Sequence, residues 1–334
     1  MQLVDSPIVE SVKTLQIGQD RITELLEYSI KNRMALLFLD SIAKKGETRH
    51  FATLYNSEKA KHLEALRIAS KVSASLTEHD ISHAVFKTLR PYIFTTADID
   101  VIIFDSGRKY SDAVEKMQRA GYELVIRGPR STTLKETSTN IGIDLYEDVA
   151  VSLIIYLDKE KLAHFVTTVK RPDGNYIKTL RPEADLLSMI AHSILKEQIY
   201  TLSEYYSFIY HLEQIDVDDF IELVKQTHLI CAVRTHITLT ALLHKIAHKS
   251  LPIQLRKLLT NLGEDPLERA SIIKNNFKTP HKYHVLTIAQ SLLEIAKEEK
   301  CRDSYATQIM YMLSPNFARK FLRDLMKHVT RETY

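Results

Sequence analysis

Within "TTADIDVIIFD", residues 95–105, two carboxylates stand two positions apart at the head of an otherwise apolar run. Side chains of a strand alternate between its faces, so Asp98 and Asp100 project together while Ile99 and Val101 face the other way. Two carboxylates side by side repel each other unless a cation lies between them. Magnesium suits such a place, since it takes hard oxygen ligands and is usually held by one or two carboxylates together with substrate phosphates. A third acid recurs in "GIDLYED", where Asp144 sits between Ile143 and Leu145 as if projecting from a core strand. Three acids on adjacent strands could hold two metal ions about 3.5–4 Å apart, which suits in-line displacement at phosphorus. The plainer alternative makes Asp98 a turn residue and Asp100 an exposed edge residue. Glu147 and Asp148 lie in a polar step and read as turn residues.

The elements that must position these acids follow from periodicity. Residues 8–78 carry apolar positions at three- and four-residue spacing, as in Ile22, Leu25, Leu26, Ile30 and Met34, and read as helices, with Ser57 a candidate N-cap. The texture then changes to short β-branched runs at 81–87, 99–105, 121–128, 141–148 and 149–157, with one short helix over 111–120 closed by Gly121. Residues 127–140, "RGPRSTTLKETSTN", read as a polar surface hairpin loop. From Pro182 onward the pattern is helical again, and Pro182 and Glu183 suit a first turn. The expected fold is therefore α+β. Helices over 1–78 precede a small α/β core over 79–180, and a helical region over 181–334 follows.

Composition excludes several classes. Only 8 Gly and 9 Pro in 334 residues leave little room for a long flexible linker. No apolar stretch follows a basic start, and the longest apolar runs, 34–39 and 149–157, fall short of a membrane span. Cys231 and Cys301 are too few for a disulfide framework and lack metal-ligand spacing, so a reducing cytoplasmic setting and small-apolar core roles are expected. Residues 221–334 hold 18 Lys and Arg against 10 Asp and Glu, a balance of +8, while the rest of the chain stands at −5. That asymmetry fits a nucleic acid or nucleotide partner, and equally fits solvated Lys-rich helix faces. His244 and His248 share a helix face without a third ligand and read as surface residues. His192, between Ile190-Ala191 and Ile194-Leu195, reads as a packed histidine, and the aromatic run 204–211 as interface packing.

The segment "HAVFKTLRPYIFTTADIDVIIFD" (83–105) resembles the front of a DNA-polymerase-β-type nucleotidyltransferase core, in which a strand leads through a small turn to an Asp-apolar-Asp strand. It is most similar to a branch of that superfamily whose first strand ends in Lys-Gly and whose core lies between helices and a helical domain. The resemblance spans roughly residues 10–225. It sets Lys87 at the Lys position, Asp98 and Asp100 at the acid pair and Asp144 at the third acid. His192 and Glu204 fall at polar positions of the helical domain. It implies transfer of an NMP from an NTP to a hydroxyl acceptor, dependent on Mg²⁺ (or Mn²⁺) held by Asp98, Asp100 and Asp144. Lys87 would steady the triphosphate, with Thr88, Arg90 and Thr96 as nearby nucleotide contacts.

The acceptor stays open between an RNA 3′ end, a protein hydroxyl and a small molecule. This chain departs from the pattern at Thr88, where a glycine would let backbone N–H groups approach phosphate. A protein that keeps the fold without the chemistry, as an RNA-binding or regulatory partner, is the alternative. On the active reading, replacing Asp100 by Asn is expected to relieve repulsion and leave the fold intact.

Overall fold

The computed structural model describes residues 19–44, 50–171, 174–275, 277–319 and 323, so the expected helix over 8–18 lies outside the described residues. Three helices come first: α1 (Gln19–Lys31), α2 (Ala35–Lys44) and α3 (Ala52–Glu78). α3 begins before Ser57, which lies inside the helix rather than capping it. Packing overrides the local cap here. Phe51 and Tyr55 lie against the buried cluster of Phe38, Leu39 and Ile42, and the Tyr55 hydroxyl donates to Asp40 Oδ1 at 2.8 Å.

The α/β part runs β1 (His83–Val85), β2 (Asp98–Ile103), α4 (Arg108–Arg119), β3 (Tyr122–Arg127), β4 (Ser131–Glu136), β5 (Gly142–Tyr146), β6 (Val149–Val151), β7 (Ile154–Leu157), α5 (Lys159–Ala163), β8 (Val166–Lys170) and β9 (Tyr176–Leu180). Seven strands form one mixed sheet in the order β3-β4-β5-β2-β1-β9-β8, with β2–β5 and β1–β9 parallel and the other pairs antiparallel. The fold is thus α+β, as the sequence pattern implies.

Three details differ from it. Residues 127–140, expected as a polar surface hairpin loop, do turn between β3 and β4, but they contain β4 itself, an interior strand whose polar Thr and Ser side chains alternate with the fully buried Thr132 and Leu134. The single run 149–157 is a two-stranded hairpin, β6–β7, broken where Ser152 adopts a left-handed φ of 55°. β8 and β9 close the other edge, in a stretch whose charged and polar residues mask the alternation.

Beyond β9 come α6 (Pro182–Ala191), a π-helical turn (His192–Glu197), β10 (Ile199–Tyr200), α7 (Leu202–Leu212), α8 (Val217–Gln226), α9 (Ile230–His248), α10 (Ile253–Leu262), α11 (Pro266–Asn275), β11 (His281–Lys282), α12 (Val285–Ile295) and α13 (Glu299–Met312). This part is helical except for the short β10–β11 ladder. His244 is buried and its Nδ1 lies 2.8 Å from the Tyr205 hydroxyl, so it belongs to the core and not to the surface. Cys301 is likewise buried, beside Ala150 and Ile155.

The two faces of β2 meet different partners. Ile99, Val101 and Ile103, with Ile143 and Leu145 of β5, pack onto α3 through Ile68 and Val72 and onto α4 through Val114 and Met117. Ile102 and Tyr146 face the other way, into the large core built by the later helices. A side chain inside the first layer has no room to be replaced. Ile143→Ala is expected to cost about 2–5 kcal/mol, the scale of a buried large-to-small change. Val125→Ser, at an exposed position of edge strand β3, should stay within about 0.5 kcal/mol. Denaturant titration of both variants checks the pair; equal midpoints would mean that this layer is not the core.

Candidate functional site

Asp98 and Asp100 share the Ile102 face of β2, which places both at the end of the strand that the later helices leave open. β5 runs parallel to β2 with Asp98 opposite Gly142 and Asp100 directly opposite Asp144. Neighbouring strands lie about 4.8 Å apart, so side chains in register on one face are close neighbours. β4 adds its own member: Thr133 stands opposite Asp144 and donates its hydroxyl to Asp144 Oδ1 at 2.6 Å. The structure therefore sets the three acids on one face of adjacent strands.

The turn after β1 is closed by side chains. Phe86 N–H still donates to the Asp100 carbonyl at 3.0 Å. Lys87 then takes a left-handed backbone with φ 59°, the conformation glycine adopts most readily. Its N–H donates to Asp185 Oδ1, in the first turn of α6, at 2.6 Å. The Thr88 hydroxyl donates to the Phe86 carbonyl at 3.2 Å and accepts from Asp100 N–H at 2.9 Å. The Lys87 side chain points inward. It is 6% exposed, and its ammonium lies 3.1 Å from Asp100 Oδ1 and 3.1 Å from His192 Nδ1, over the rings of Phe86 and Tyr146. Lys87 thus sits on the cleft floor as the counter-charge of Asp100, rather than at the mouth.

His192 begins the π-helical turn. An ammonium can only donate, so Nδ1 accepts and Nε2 carries the proton, which it donates to Glu197 Oε1 at 3.2 Å. Closure of a π-turn between residues five apart brings Glu197 back beneath His192. Lys196, one residue short of that closure, donates to the Tyr146 hydroxyl at 3.3 Å.

Burial and charge act differently on each group. Burial, and then the neighbouring charges of Asp100 and Asp144, push Asp98 up to about 7. Burial also opposes ionisation of Asp100, yet the positive charges of Lys87 and Lys196 and the Lys87 hydrogen bond outweigh it and hold Asp100 below the usual carboxylate range. Asp144 is raised by burial against the hydrogen bond from Thr133. Burial lowers Lys87, opposed chiefly by Asp100. Burial and the positive charges of Lys87 and Lys196 hold His192 well below its ordinary value, so its ring is neutral at pH 7.

Asp98, Asp100, Lys87, His192 and Lys196 line a cleft of about 590 Å³ between the sheet end, the α1–α2 turn and α6; Asp144 stands behind them, with Tyr146 of its strand reaching the lining. Arg90 reaches it, with Nη1 bonded to Ser207 Oγ at 2.9 Å and the guanidinium 5.1 Å from the Phe94 ring centre. The Thr96 hydroxyl donates to the Asp98 carbonyl at 2.8 Å and tightens the entry to β2. Glu204 lines the same cleft but serves as the N3 partner of a capping box with Thr201, accepting from its N–H at 2.9 Å. Tyr146, Lys196, Glu197 and Asp185 are site residues that sequence reasoning passed over. Only Tyr146 left a trace, lying two residues beyond Asp144 on the same strand face.

Among the described residues no group of three or more His, Cys, Asp or Glu is already gathered to hold a metal ion. The donor chemistry nevertheless fits a hard dication. Three carboxylates share one face, and among the described residues no hydrogen bond or ion pair holds the Asp98 side chain, which feels positive charge only from Lys87 and Lys196. No family profile and no curated protein matches the chain. Among solved structures, an antigenic nucleotidyltransferase-like protein from Paracoccidioides brasiliensis matches at 15% identity and TM-score 0.30, covering 64% of this chain and 93% of its own. The STING-associated CdnE c-di-GMP synthase from Capnocytophaga granulosa matches at 13% identity and TM-score 0.33, covering 87% of this chain and 99% of its own. Likeness this distant places no residue.

Asp98 makes stability depend on pH. With a native value of about 7 against an unfolded value of about 3.9, the native state binds the extra proton between those limits. Stability from this group therefore falls as pH rises from about 4 to about 7 and stays flat above. Asp98→Asn removes that slope. The variant should gain on the wild type between pH 5 and pH 8 when both are unfolded in urea; an unchanged difference at the two pH values would show that Asp98 is not held protonated.

Proposed function

We propose that the chain is a metal-dependent nucleotidyltransferase, moving an NMP from an NTP to a hydroxyl acceptor. The single observation that carries this reading is the register of β2 and β5, which sets Asp98, Asp100 and Asp144 on one face of adjacent strands, with Asp98 and Asp100 lining a cleft. The acceptor oxygen forms a bond to the α-phosphorus, the bond to the leaving pyrophosphate breaks, and the hydroxyl proton passes to a base. Asp98, Asp100 and Asp144 would hold Mg²⁺ or Mn²⁺, which when bound neutralises phosphate charge and makes the attacking hydroxyl more acidic. That the carboxylates are not gathered beforehand accords with a metal that arrives with the nucleotide, since magnesium commonly takes part of its shell from phosphates.

The residues of the chain then have separate tasks. Asp144, bonded to Thr133, stands on the acceptor side. Asp98, with a value near neutrality, can take up or release a proton at little cost around pH 7. Lys87 keeps Asp100 ionised and in place. An RNA acceptor would find its positive partner surface in the basic C-terminal part, and salt would then weaken its binding.

One observation favours the second reading, a regulatory or RNA-binding protein without chemistry. The turn after β1 offers phosphate little, because Lys87 N–H, the Lys87 ammonium and the Thr88 hydroxyl are all engaged internally. Metal-dependent NTP binding separates the two readings.

The test of transfer is best made at Asp98. Asp100→Asn, expected from sequence to relieve repulsion, would instead strand the buried Lys87 ammonium and destabilise the protein. Asp98→Asn removes an ionisable carboxylate that no such ion pair holds. Incubation with each labelled NTP, Mg²⁺ or Mn²⁺ and total RNA or protein should give transferred label for the wild type. The Asp98→Asn variant should lose at least about a hundredfold in rate, the scale of a lost metal-site or acid–base group, while melting no lower at pH 8. Undiminished transfer would remove the acid cluster from the chemistry.

A further inference from the structure

Among the described residues five cationic side chains line the cleft, and four of them are held by neighbours. Arg33 Nη2 lies 3.4 Å from Glu197 Oε2, and Lys61 Nζ lies 2.6 Å from Glu58 Oε1. The Lys87 ammonium answers Asp100 at 3.1 Å, and Arg90 donates to Ser207 and the Met189 sulfur. Lys196 is different. Its polar contact is the Tyr146 hydroxyl, a neutral group, and its ammonium lies 5.7 Å from the centre of the Tyr146 ring. No carboxylate pairs with it among the described residues. A half-buried ammonium with no ion-pair partner, facing a cleft, has unused donors and charge to offer an anion.

Its place follows from the π-helical turn. Had α6 continued as an α-helix, Lys196 would lie below His192 on the same stripe, four residues on. The wider turn gives that position to Glu197, which takes the His192 proton donor, and Lys196 is directed toward the acid-bearing strands. The Tyr146 hydroxyl it bonds belongs to β5, two residues beyond Asp144 on the same face and opposite Ile102 of β2, so the ammonium lies on the acid-bearing side of the sheet. Gln198, in a left-handed conformation, ends the turn, and the Ser193 hydroxyl ties it down by donating to the Ile199 carbonyl at 2.9 Å. Lys196 is therefore mounted on a braced element rather than on a loop.

We propose that Lys196 is the cation of the cleft that receives a polyphosphate, in the role that resemblance assigns to Lys87. The identity of the anion as the triphosphate of a nucleotide rests on the nucleotidyl-transfer reading; the site itself rests on the cleft geometry. A phosphate chain entering beside three carboxylates meets repulsion that a bound dication offsets in part, and a mobile ammonium on a four-carbon stem supplies the rest without fixing one pose. Lys87 then holds Asp100 and Lys196 holds the ligand.

The test is calorimetric titration of the full chain, with Mg²⁺ present, by inorganic tripolyphosphate and by each of the four NTPs. Lys196→Gln should weaken tripolyphosphate binding about tenfold or more, the scale of one charged hydrogen bond, and flatten its dependence on salt. Lys196→Arg should restore a substantial part. Lys61→Gln, a cation at the same cleft already paired with Glu58, should bind as the wild type does. Melting curves of Lys196→Gln should match the wild type, because the side chain bonds only a tyrosine hydroxyl.

Binding lost in Lys196→Gln supports the assignment even if no transfer of label is ever found, in which case the transfer reading alone fails. Equal binding by Lys196→Gln and the wild type overturns the assignment and leaves the transfer reading standing. A wild-type chain that binds neither tripolyphosphate nor any NTP overturns it outright.

Discussion

A single buried ammonium organises this molecule's site. Lys87 Nζ lies 3.1 Å from both Asp100 and His192, under the rings of Phe86 and Tyr146, and so joins the end of β1, the start of β2, β5 and α6 at one point. Its own backbone N–H reaches a second carboxylate, Asp185, at 2.6 Å. An ion pair taken out of water gains little net stability over apolar packing, but removing one partner leaves an uncompensated charge and costs several kcal/mol. The pair is better understood as a positional constraint. It sets the helical part of the chain against one end of the sheet and holds the left-handed turn at Lys87 in place.

That constraint makes the three acids unequal. Asp100 is ionised because Lys87 answers it, Asp144 takes a hydrogen bond from Thr133, and Asp98 is left with burial and two like charges. Three identical side chains thus present a fixed anion, a tethered carboxyl and a group that titrates near neutrality. Under the proposed reading this division is useful. A dication arriving with nucleotide would find one anion prepared and a second whose proton is easily displaced. The cost is a crowded negative face, which the cations on the π-helical turn and the cleft wall moderate over a few ångströms.

The surrounding architecture keeps the site open. α3 and α4 cover one face of the central strands with Ile68, Val72, Val114 and Met117. The later helices cover the other face only as far as Ile102 and Tyr146, so the strand ends bearing the acids remain at the border of the cleft. The π-helical turn lies where α6 would otherwise run past that border. Wide turns of this kind interrupt regular hydrogen bonding and are common where a helix must present side chains to a site.

The sequence by itself determined the α+β layout and the shared face of Asp98 and Asp100, because both follow from local periodicity: two residues along a strand, three to four along a helix. It also singled out Asp144, an acid between two core residues. What it could not determine were relations between distant segments. β4 was hidden because an interior strand can be polar where its threonines bond to neighbouring strands, as Thr133 does to Asp144. Ser57 did not start α3, because the packing of Phe51 and Tyr55 on α2 outweighed a local cap. Lys87 could be placed at the end of β1, but only tertiary structure decided that its ammonium turns inward to Asp100, since its partner stands across the strand pair and the rings that cover it come from β5 and its own neighbour. Lys196 was unreadable for a similar reason. One extra residue in a helical turn rotates every later side chain, and the local pattern of residues 192–197 carries no sign of that insertion.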